Sequence, residues 1–374
     1  MKNIGESFSG LSGKKSSDFG HGEAKYITYL NILNNPIIDT KLTDKIEIDN
    51  KQHLVKKGDI FFTISSETPQ EVGLSSVLDT NLNECYLNSF SFGYRLKEIS
   101  MFDNLFNSYN FRSPNFRRKM YILAQGISRY NISKKAVLNE TICFPKISEQ
   151  KQIGKLIKLM NSLLSLQQRK LELISALEKG LGQIIKQQNN KYGITFSLNN
   201  FLEIPPQIQA RIKNKNQLLT VKLNLQGIAR GVQRDTLSLG STKYFIRHTG
   251  ELIFGKQNIF NGSIALITKE FDGLATSNDV PSLKISNINP QFLFYLLKNP
   301  DFWKHTELIA TGTGSKRVHI HDLLKLHIKI IPDAKYQAKI VSLSRNFEKI
   351  VLNQQIIVKE CEKTKQFLLQ NLFI

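Results

Sequence analysis

Residues 148–188 read SEQKQIGKLIKLMNSLLSLQQRKLELISALEKGLGQIIKQQ. Within them Ile153, Ile157, Met160, Leu164, Gln167, Leu171, Ile174, Leu181 and Ile184 follow one another at steps that are mostly three and four. Such steps hold an apolar seam along one side of a helix and let two seams wind together as a coiled coil. Ser148, ahead of Glu149 and Gln150, fits an N-cap. A second run, 333–371, steps strictly by three and four through Ile340, Leu343, Phe347, Ile350, Gln354, Ile357, Cys361, Thr364 and Leu368. Gln167 and Gln354 occupy the same repeat position, and a polar residue in a seam weakens it but fixes its register. Each run is about 40 residues, or ~60 Å at 1.5 Å per residue. Helices in ordinary globular cores average about 10–14 residues. The spacing therefore predicts that the two helices pair with each other. Because each follows its own domain, an antiparallel pair implies a dumb-bell with pseudo-two-fold symmetry.

Working outward, the chain repeats itself with a period near 190 residues. Tyr26-Ile27-Thr28 matches Leu218-Leu219-Thr220, and Gly58-Asp59-Ile60-Phe61 matches Gly250-Glu251-Leu252-Ile253. The stretch from Tyr109 through Pro114 to Phe116 matches that from Tyr295 through Pro300 to Phe302. Gly126, Arg129 and Ile132 match Gly314, Arg317 and Ile320. Ile142 to Pro145 matches Lys329 to Pro332, and Gln150 to Ile153 matches Gln337 to Ile340. The order is kept, and the offset drifts only from 192 to 186. Each half reads as a mixed domain followed by a long helix. Short β-rich runs at 60–64, 86–96, 252–254, 264–268 and 326–331 are punctuated by Gly, Asn and Ser. Shorter helices are expected around 102–109 and 290–298, the latter opened by Asn289-Pro290.

The 374 residues suggest two or three domains at roughly 100–200 residues each. Hydrophobic residues are 41% and charged residues 22%, a composition that folds around real cores and excludes a disordered basic tail. No apolar run reaches the ~18 residues of a membrane span, and MKNIGESFSGLSGKK lacks the apolar core of a secretory signal. Cys85, Cys143 and Cys361 are far apart and odd in number, which argues against a disulfide framework or a zinc site. The expectation is a cytoplasmic protein without a membrane partner. Lys and Arg number 51 against 31 Asp and Glu, a net charge of +20. Residues 1–150 carry +3, 151–195 carry +6, 196–335 carry +8 and 336–374 carry +3. An excess spread along the whole chain points to a long polyanion touched at several places. The first domain, at only +3, should rely more on specific contacts than the second.

Catalytic equipment is hard to find. Gly250 to Lys256 opens like a phosphate-binding P-loop, but Gln257 stands where Ser or Thr should hold Mg²⁺. Gly312 to Arg317 is Gly-rich and basic without being a dinucleotide fingerprint. The Asn/Asp-Pro-Pro-aromatic motif of amino-methyltransferases is absent, as are a GxSxG elbow and an HExxH helix. His319 and His321 alternate along an apolar run, so both are expected on one face, without the set of acidic or Cys ligands a metal would need. A basic, duplicated chain without such motifs fits a reader of nucleic acid rather than an enzyme, and no metal site is expected.

The layout domain, long helix, domain, long helix resembles the specificity subunit of type I restriction–modification systems. Pro145-Lys-Ile-Ser-Glu149-Gln150-Lys-Gln-Ile153 is similar to that family's strand-Pro-x-x-x-Glu-Gln-x-x-Ile approach to its helix. Gly58-Asp59-Ile-Phe, Gly250-Glu251-Leu-Ile-Phe and Gly273-Leu-Ala-Thr-Ser277 resemble its domain strands. The chain departs from the family where Asp333-Ala-Lys-Tyr-Gln337 lacks the Glu before Gln. The resemblance implies an α+β fold of two similar mixed α/β target-recognition domains, 1–147 and 191–332. They are separated by an antiparallel coiled coil of the helices 148–190 and 333–374. It also implies that each domain reads one half of a split, asymmetric site in double-stranded DNA. The helices set the unread spacer, at most ~18 base pairs for a ~60 Å helix, and dock two methyltransferase subunits. A restriction/translocase subunit completes the complex. No cofactor is expected on this chain; S-adenosylmethionine, ATP and Mg belong to the partner subunits. Three other readings stay open: a nuclease or methyltransferase with degenerate motifs, a coiled-coil adaptor with vestigial DNA-binding domains, and the specificity module of another restriction class.

Phosphate contacts need Lys and Arg, and base edges need Arg, Lys, Asn or Gln. In the first domain the candidates are Lys14, Lys15, Ser16 and Ser17, then Arg129, Tyr130 and Asn131. In the second they are Arg230 and Arg234, then Lys256, Gln257 and Asn258, then Lys316, Arg317 and His319. Arg129 and Arg317 stand out because the duplication places each after a glycine. Arg117, Arg118 and Lys119 are phosphate contacts or a basic helix face. Leu163, Leu166 and Leu177 lie off the seam, as docking surface for a methyltransferase subunit or as core against the adjacent domain.

Overall fold

The computed structural model describes residues 1–231 and 242–373. They divide into two compact units, 1–169 with 355–374, and 170–354. The division cuts both long helices near their middles, so each unit holds one mixed α/β domain and a half of each helix.

The first unit is built on a four-stranded antiparallel sheet in the order Gly5–Ser9, Ser91–Leu96, Ile60–Thr63, Ser75–Val77. The second unit repeats the order with Leu202–Glu203, Ser282–Ile285, Leu252–Phe254 and Ile264–Leu266. The central strands are apolar on both faces because both are covered, which is why they read as runs rather than alternations. The glycine–acid pair ahead of each has a mechanical role. Gly58 and Gly250 take φ of +92° and +85° in a turn that returns the chain to the sheet. The acid then accepts a backbone N–H three residues back, Lys56 N to Asp59 Oδ2 at 2.7 Å and His248 N to Glu251 Oε2 at 3.1 Å.

Two helices follow in each unit with matching caps. Asn104–Asn110 and Pro114–Leu123 are capped by Asp103 and Ser113; Pro290–Leu297 and Pro300–His305 are capped by Asn289 and Asn299. The peripheral strands diverge. In the first unit Phe19–Ile27 lies between Thr43–Ile46 and Cys85–Leu87, parallel to the latter. In the second, that parallel pairing shrinks to one bridge, Leu218 to Ala275, and the chain turns into the hairpin Leu219–Val221 with Ile228–Arg230.

The long helices span Ile147–Tyr192 and Ala334–Asn371. Each is started by a buried glutamine. Gln150 accepts from Asp103 N at 3.0 Å and donates to the carbonyls of Met101 and Pro145 at 3.1 and 2.9 Å. Gln337 accepts from Asn289 N at 3.5 Å and donates to Ile331 O at 3.3 Å. In the first unit Ile153 and Ile157 share an apolar cluster with Leu368, Leu369 and Phe373. In the second, Leu181 and Ile185 share the core with Ile340 and Val341. The start of each helix thus meets the end of the other, and the pair is antiparallel.

The seam differs in detail from the spacing argument. Ile184, Ile350, Ile357 and Thr364 face solvent, while Ile185 is buried and Val351 and Val358 are shielded. At 3.6 residues per turn, three-then-four and four-then-three steps leave adjacent apolar residues competing for one face. Gln354, 3% exposed, does sit in the seam. Leu163, Leu166 and Leu177 are exposed, so they are not core against an adjacent domain. No helix among the described residues is long and apolar enough to cross a membrane.

Candidate nucleic-acid interface

In each unit a short hairpin follows the two capped helices and crosses the end of the central strand. In the first, Gln125 and Asn131 exchange backbone hydrogen bonds of 2.9 and 2.8 Å; in the second, Thr311 and Arg317 do so at 2.9 and 2.8 Å. Glycine is required at the turn. Gly126 has φ +143°, and a Cβ there would stand 2.0 Å from Arg129 O; Gly312 has φ +120°, and a Cβ would stand 2.7 Å from Ser315 O.

This geometry corrects the sequence alignment. Gly126 is equivalent to Gly312, not Gly314, so Arg129 corresponds to Ser315 and Asn131 to Arg317. The two arginines nevertheless meet equivalent residues at the end of the central strand, Ser65 for Arg129 and Gln257 for Arg317. The backbone beneath them is the same in both units. Ile64 N donates to Phe90 O and Ile64 O accepts from Ile132 N, at 2.9 Å each; Lys256 N donates to Asp279 O and Lys256 O accepts from Val318 N, at 2.9 and 2.8 Å. Ser65 is therefore the counterpart of Gln257, and Phe90 of Asp279.

The side chains at that place differ. Arg129 donates from Nε to Ser65 Oγ at 2.7 Å and lies over the Phe90 ring, 5.8 Å from its centroid. Its two terminal nitrogens have no partner among the described residues. Arg317 is held on two sides. Turned so that its oxygen meets the donors around it, the Gln257 amide accepts from Arg317 Nε and Nη2 at 3.1 and 2.9 Å, and from Ser315 Oγ at 3.2 Å. Arg317 Nη1 lies 3.4 Å from Asp279 Oδ1. Beside this cluster opens a cleft of about 470 Å³, lined by Thr220, Lys243, Asn258, Ser277 and Asn278 among others.

The remaining expected residues scatter. Tyr130 and Asn131 pair with Ser66 and Ser65 at the hairpin base. Lys14 is tied to Asp49 at 2.7 Å, which holds that carboxyl down at about 2. Lys15, Ser16 and Ser17 form a short capped turn ahead of Phe19–Ile27. Arg117 is not a surface group: burial lowers it to about 10, and it donates to the carbonyls of Gln70 and Val72 at 2.8 Å each. Lys119 likewise bonds Thr141 O, at 2.5 Å. Only Arg118 of that triplet is exposed. Arg230 reaches Glu270 O at 3.3 Å, and Arg234 lies outside the described residues. Lys316 is paired with Glu307 at 2.8 Å. His319 caps the helix Ile320–Leu324, which His321 joins, so the two histidines do not share a face as they would in a strand. No cluster of His, Cys, Asp or Glu suited to a metal occurs among the described residues.

Ser65, Phe90 and Asp279 were not singled out from the sequence. Each lies beside the arginine only through long-range pairing, and nothing local marks it. Applying the repeat offset to Gln257 would have found Ser65.

No protein-family model matches the chain. It is 20% identical over 400 residues to the type I restriction enzyme MjaVIII specificity subunit of Methanocaldococcus jannaschii, across 97% of this chain and 89% of that one. Among solved structures it is similar to the type I restriction–modification S subunit from M. genitalium, with a TM-score of 0.52 at 12% identity, covering 100% of this chain and 94% of that one. The HsdS subunit from Thermoanaerobacter tengcongensis gives a TM-score of 0.52 at 14% identity, over 94% and 90% of the two chains. The chain has the fold of a type I restriction–modification specificity subunit over nearly its whole length.

Proposed function

We propose that this chain is the DNA sequence-specificity subunit of a type I restriction–modification complex and is itself non-catalytic. Each repeat reads one half of a split, asymmetric site. The long helices fix the spacer and dock two methyltransferase subunits, with Leu163, Leu166 and Leu177 as exposed apolar surface for that contact. A restriction/translocase subunit completes the assembly. S-adenosylmethionine, ATP and Mg²⁺ act on those partners. The observation that carries this reading is the arginine hairpin found twice on one backbone frame. A polar hairpin recurring on the same backbone frame, in a chain of net charge +20, suits two contacts on one polyanion.

The test is methylation mapping. The chain, produced with its methyltransferase subunits, should direct adenine methylation to a two-part sequence with a fixed spacer. The purified chain alone should transfer no methyl group from S-adenosylmethionine, and its DNA affinity should fall steeply with salt. Methyl transfer by the chain alone, or methylation by the complex without a two-part site, would refute the proposal.

A further inference from the structure

We propose that Gln257 reads one base of the half-site bound by the second repeat, purely as a hydrogen-bond donor to a keto-bearing base, and that Arg317 is the positioning residue that imposes this polarity. The inference rests on the DNA-specificity reading above and goes beyond it by assigning a residue, a base class and a cause.

A glutamine amide is normally two-faced. It offers a carbonyl acceptor and two N–H donors, and this is how Gln pairs with adenine, accepting from N6 and donating to N7. Gln257 does not have that choice. Its oxygen already receives three donors, Arg317 Nε, Arg317 Nη2 and Ser315 Oγ, at 2.9–3.2 Å. Rotating the amide would set its N–H groups against a guanidinium and leave those donors without an acceptor. Arg317 is anchored in turn by Asp279. The backbone cannot easily yield either, because Lys256, the preceding residue, is bonded on both sides, to Asp279 and to Val318.

The amide nitrogen is the end left over, and it donates to nothing among the described residues. Gln257 is half-buried and lines the open cleft, which gives a base edge access to it. In the major groove the partners for a pure donor are guanine O6 and N7, thymine O4 and adenine N7. Guanine and thymine present a keto oxygen there, whereas the amino groups of adenine and cytosine set a donor against the amide N–H. The first repeat lacks this device, because Arg129 meets a serine hydroxyl and an aromatic ring instead of an amide and a carboxylate.

The experiment uses the complete methyltransferase complex on a randomised-site DNA library, read by which sites become methylated. The wild type should prefer guanine or thymine at one position of one half-site. Gln257→Ala should lower discrimination at that position on the order of ten-fold, leaving the other half-site unchanged. Gln257→Glu keeps the acceptor for Arg317 but replaces the donor by a second acceptor. It should move the preference to cytosine or adenine. Arg317→Met should relax the position to admit adenine while Gln257 is intact, a change that general loss of stability would not produce. If Gln257→Ala and Gln257→Glu methylate with wild-type preference at every position, the inference is wrong. If the wild-type complex methylates no defined site, the parent proposal fails as well, which separates the two outcomes.

Discussion

The two arginine hairpins make an unplanned experiment in divergence. The strand end, the glycine turn and the paired backbone beneath are the same, down to hydrogen bonds within 0.1 Å of each other. What changes is who holds the arginine. Arg129 has one nitrogen on Ser65 and its planar face on Phe90, leaving both terminal nitrogens available as a fork. Arg317 spends its donors on Gln257 and Asp279 and becomes a support. A duplicated frame can therefore keep its shape while the group left with unpaired donors changes from an arginine to an amide. Shape is set by the backbone and core; chemistry is set by three positions that the core does not constrain.

The largest effects should lie in the frame. Phe62 and its counterpart Phe254 are both fully buried in the central strands. Truncating a buried Phe to Ala costs about 3–5 kcal/mol. Phe62 also stacks on Phe92 at 5.2 Å and meets Phe111 edge-on at 5.5 Å, whereas Phe254 makes no ring pair among the described residues. Phe62→Ala should be the worse by about 1 kcal/mol, the usual surplus of an aromatic pair. Urea unfolding of the two variants checks the ranking, and equal losses would mean that the ring geometry adds nothing.

Next come the two glutamines that start the long helices. Gln150 makes three well-formed bonds to buried backbone, while Gln337 makes two longer ones. Leaving buried backbone groups without partners costs about 1–3 kcal/mol. Gln150→Ala should fall at the upper end of that range and Gln337→Ala at the lower. Hydrogen exchange over the first turns of each helix reads the difference locally, and the reverse order would refute this reading of the distances.

At the hairpin itself, Arg129→Lys keeps the charge but loses the planar fork. A bidentate arginine–guanine contact discriminates by about 1–3 kcal/mol. The variant should lose preference for one guanine in the first half-site while the salt dependence of binding stays as in the wild type. A parallel fall in affinity for all sequences would mark Arg129 as a phosphate contact instead.

Much of the frame was legible in the sequence because it is imposed by local chemistry. The Gly58-Asp59 and Gly250-Glu251 turns need a left-handed residue and a capping carboxylate, and both are written in two letters. Proline after a capping Asn marked the start of Pro290–Leu297. The seam was legible as a stripe but not in phase. Ile350 beside Val351 and Ile357 beside Val358 offer the helix two faces differing by one residue, and only the partner surface chooses. The hairpin register slipped by two for a similar reason: Gly312 and Gly314 both precede Arg317, and the φ of +120° at Gly312 has no signature beyond the glycine itself. The site was least legible where it matters most. Phe90 and Asp279 are unremarkable loop residues until the sheet brings them to an arginine, and Arg117, an apparent phosphate ligand, is used up tying down the carbonyls of Gln70 and Val72.

The smallest expected effect separates charge that is present from charge that is available. Lys14 belongs to the basic opening of the first repeat, yet it is bonded to Asp49. The Lys14 hydrogen bond, with further bonds from the Lys51 backbone and Gln52, holds the Asp49 carboxyl at about 2 instead of its usual 3.8. A carboxyl lowered on folding stabilises the folded loop above its ordinary value, and that contribution is lost as pH falls from about 4 through 2. In the second repeat Asp272 is lowered in the same direction, first by bonds to the Thr249 backbone and hydroxyl and to a lesser extent by His248, 3.7 Å away. The two acids should therefore answer differently to salt. Added salt should raise the Asp49 value toward normal, because an exposed ion pair is screened, and leave Asp272 less affected. Carboxyl titration by NMR at low and high ionic strength measures both. Asp49→Asn should then release Lys14 and raise DNA affinity slightly at low salt, with no change in the sequence recognised, because a freed ammonium adds phosphate attraction without a base contact. A changed half-site in that variant would instead place Lys14 against a base.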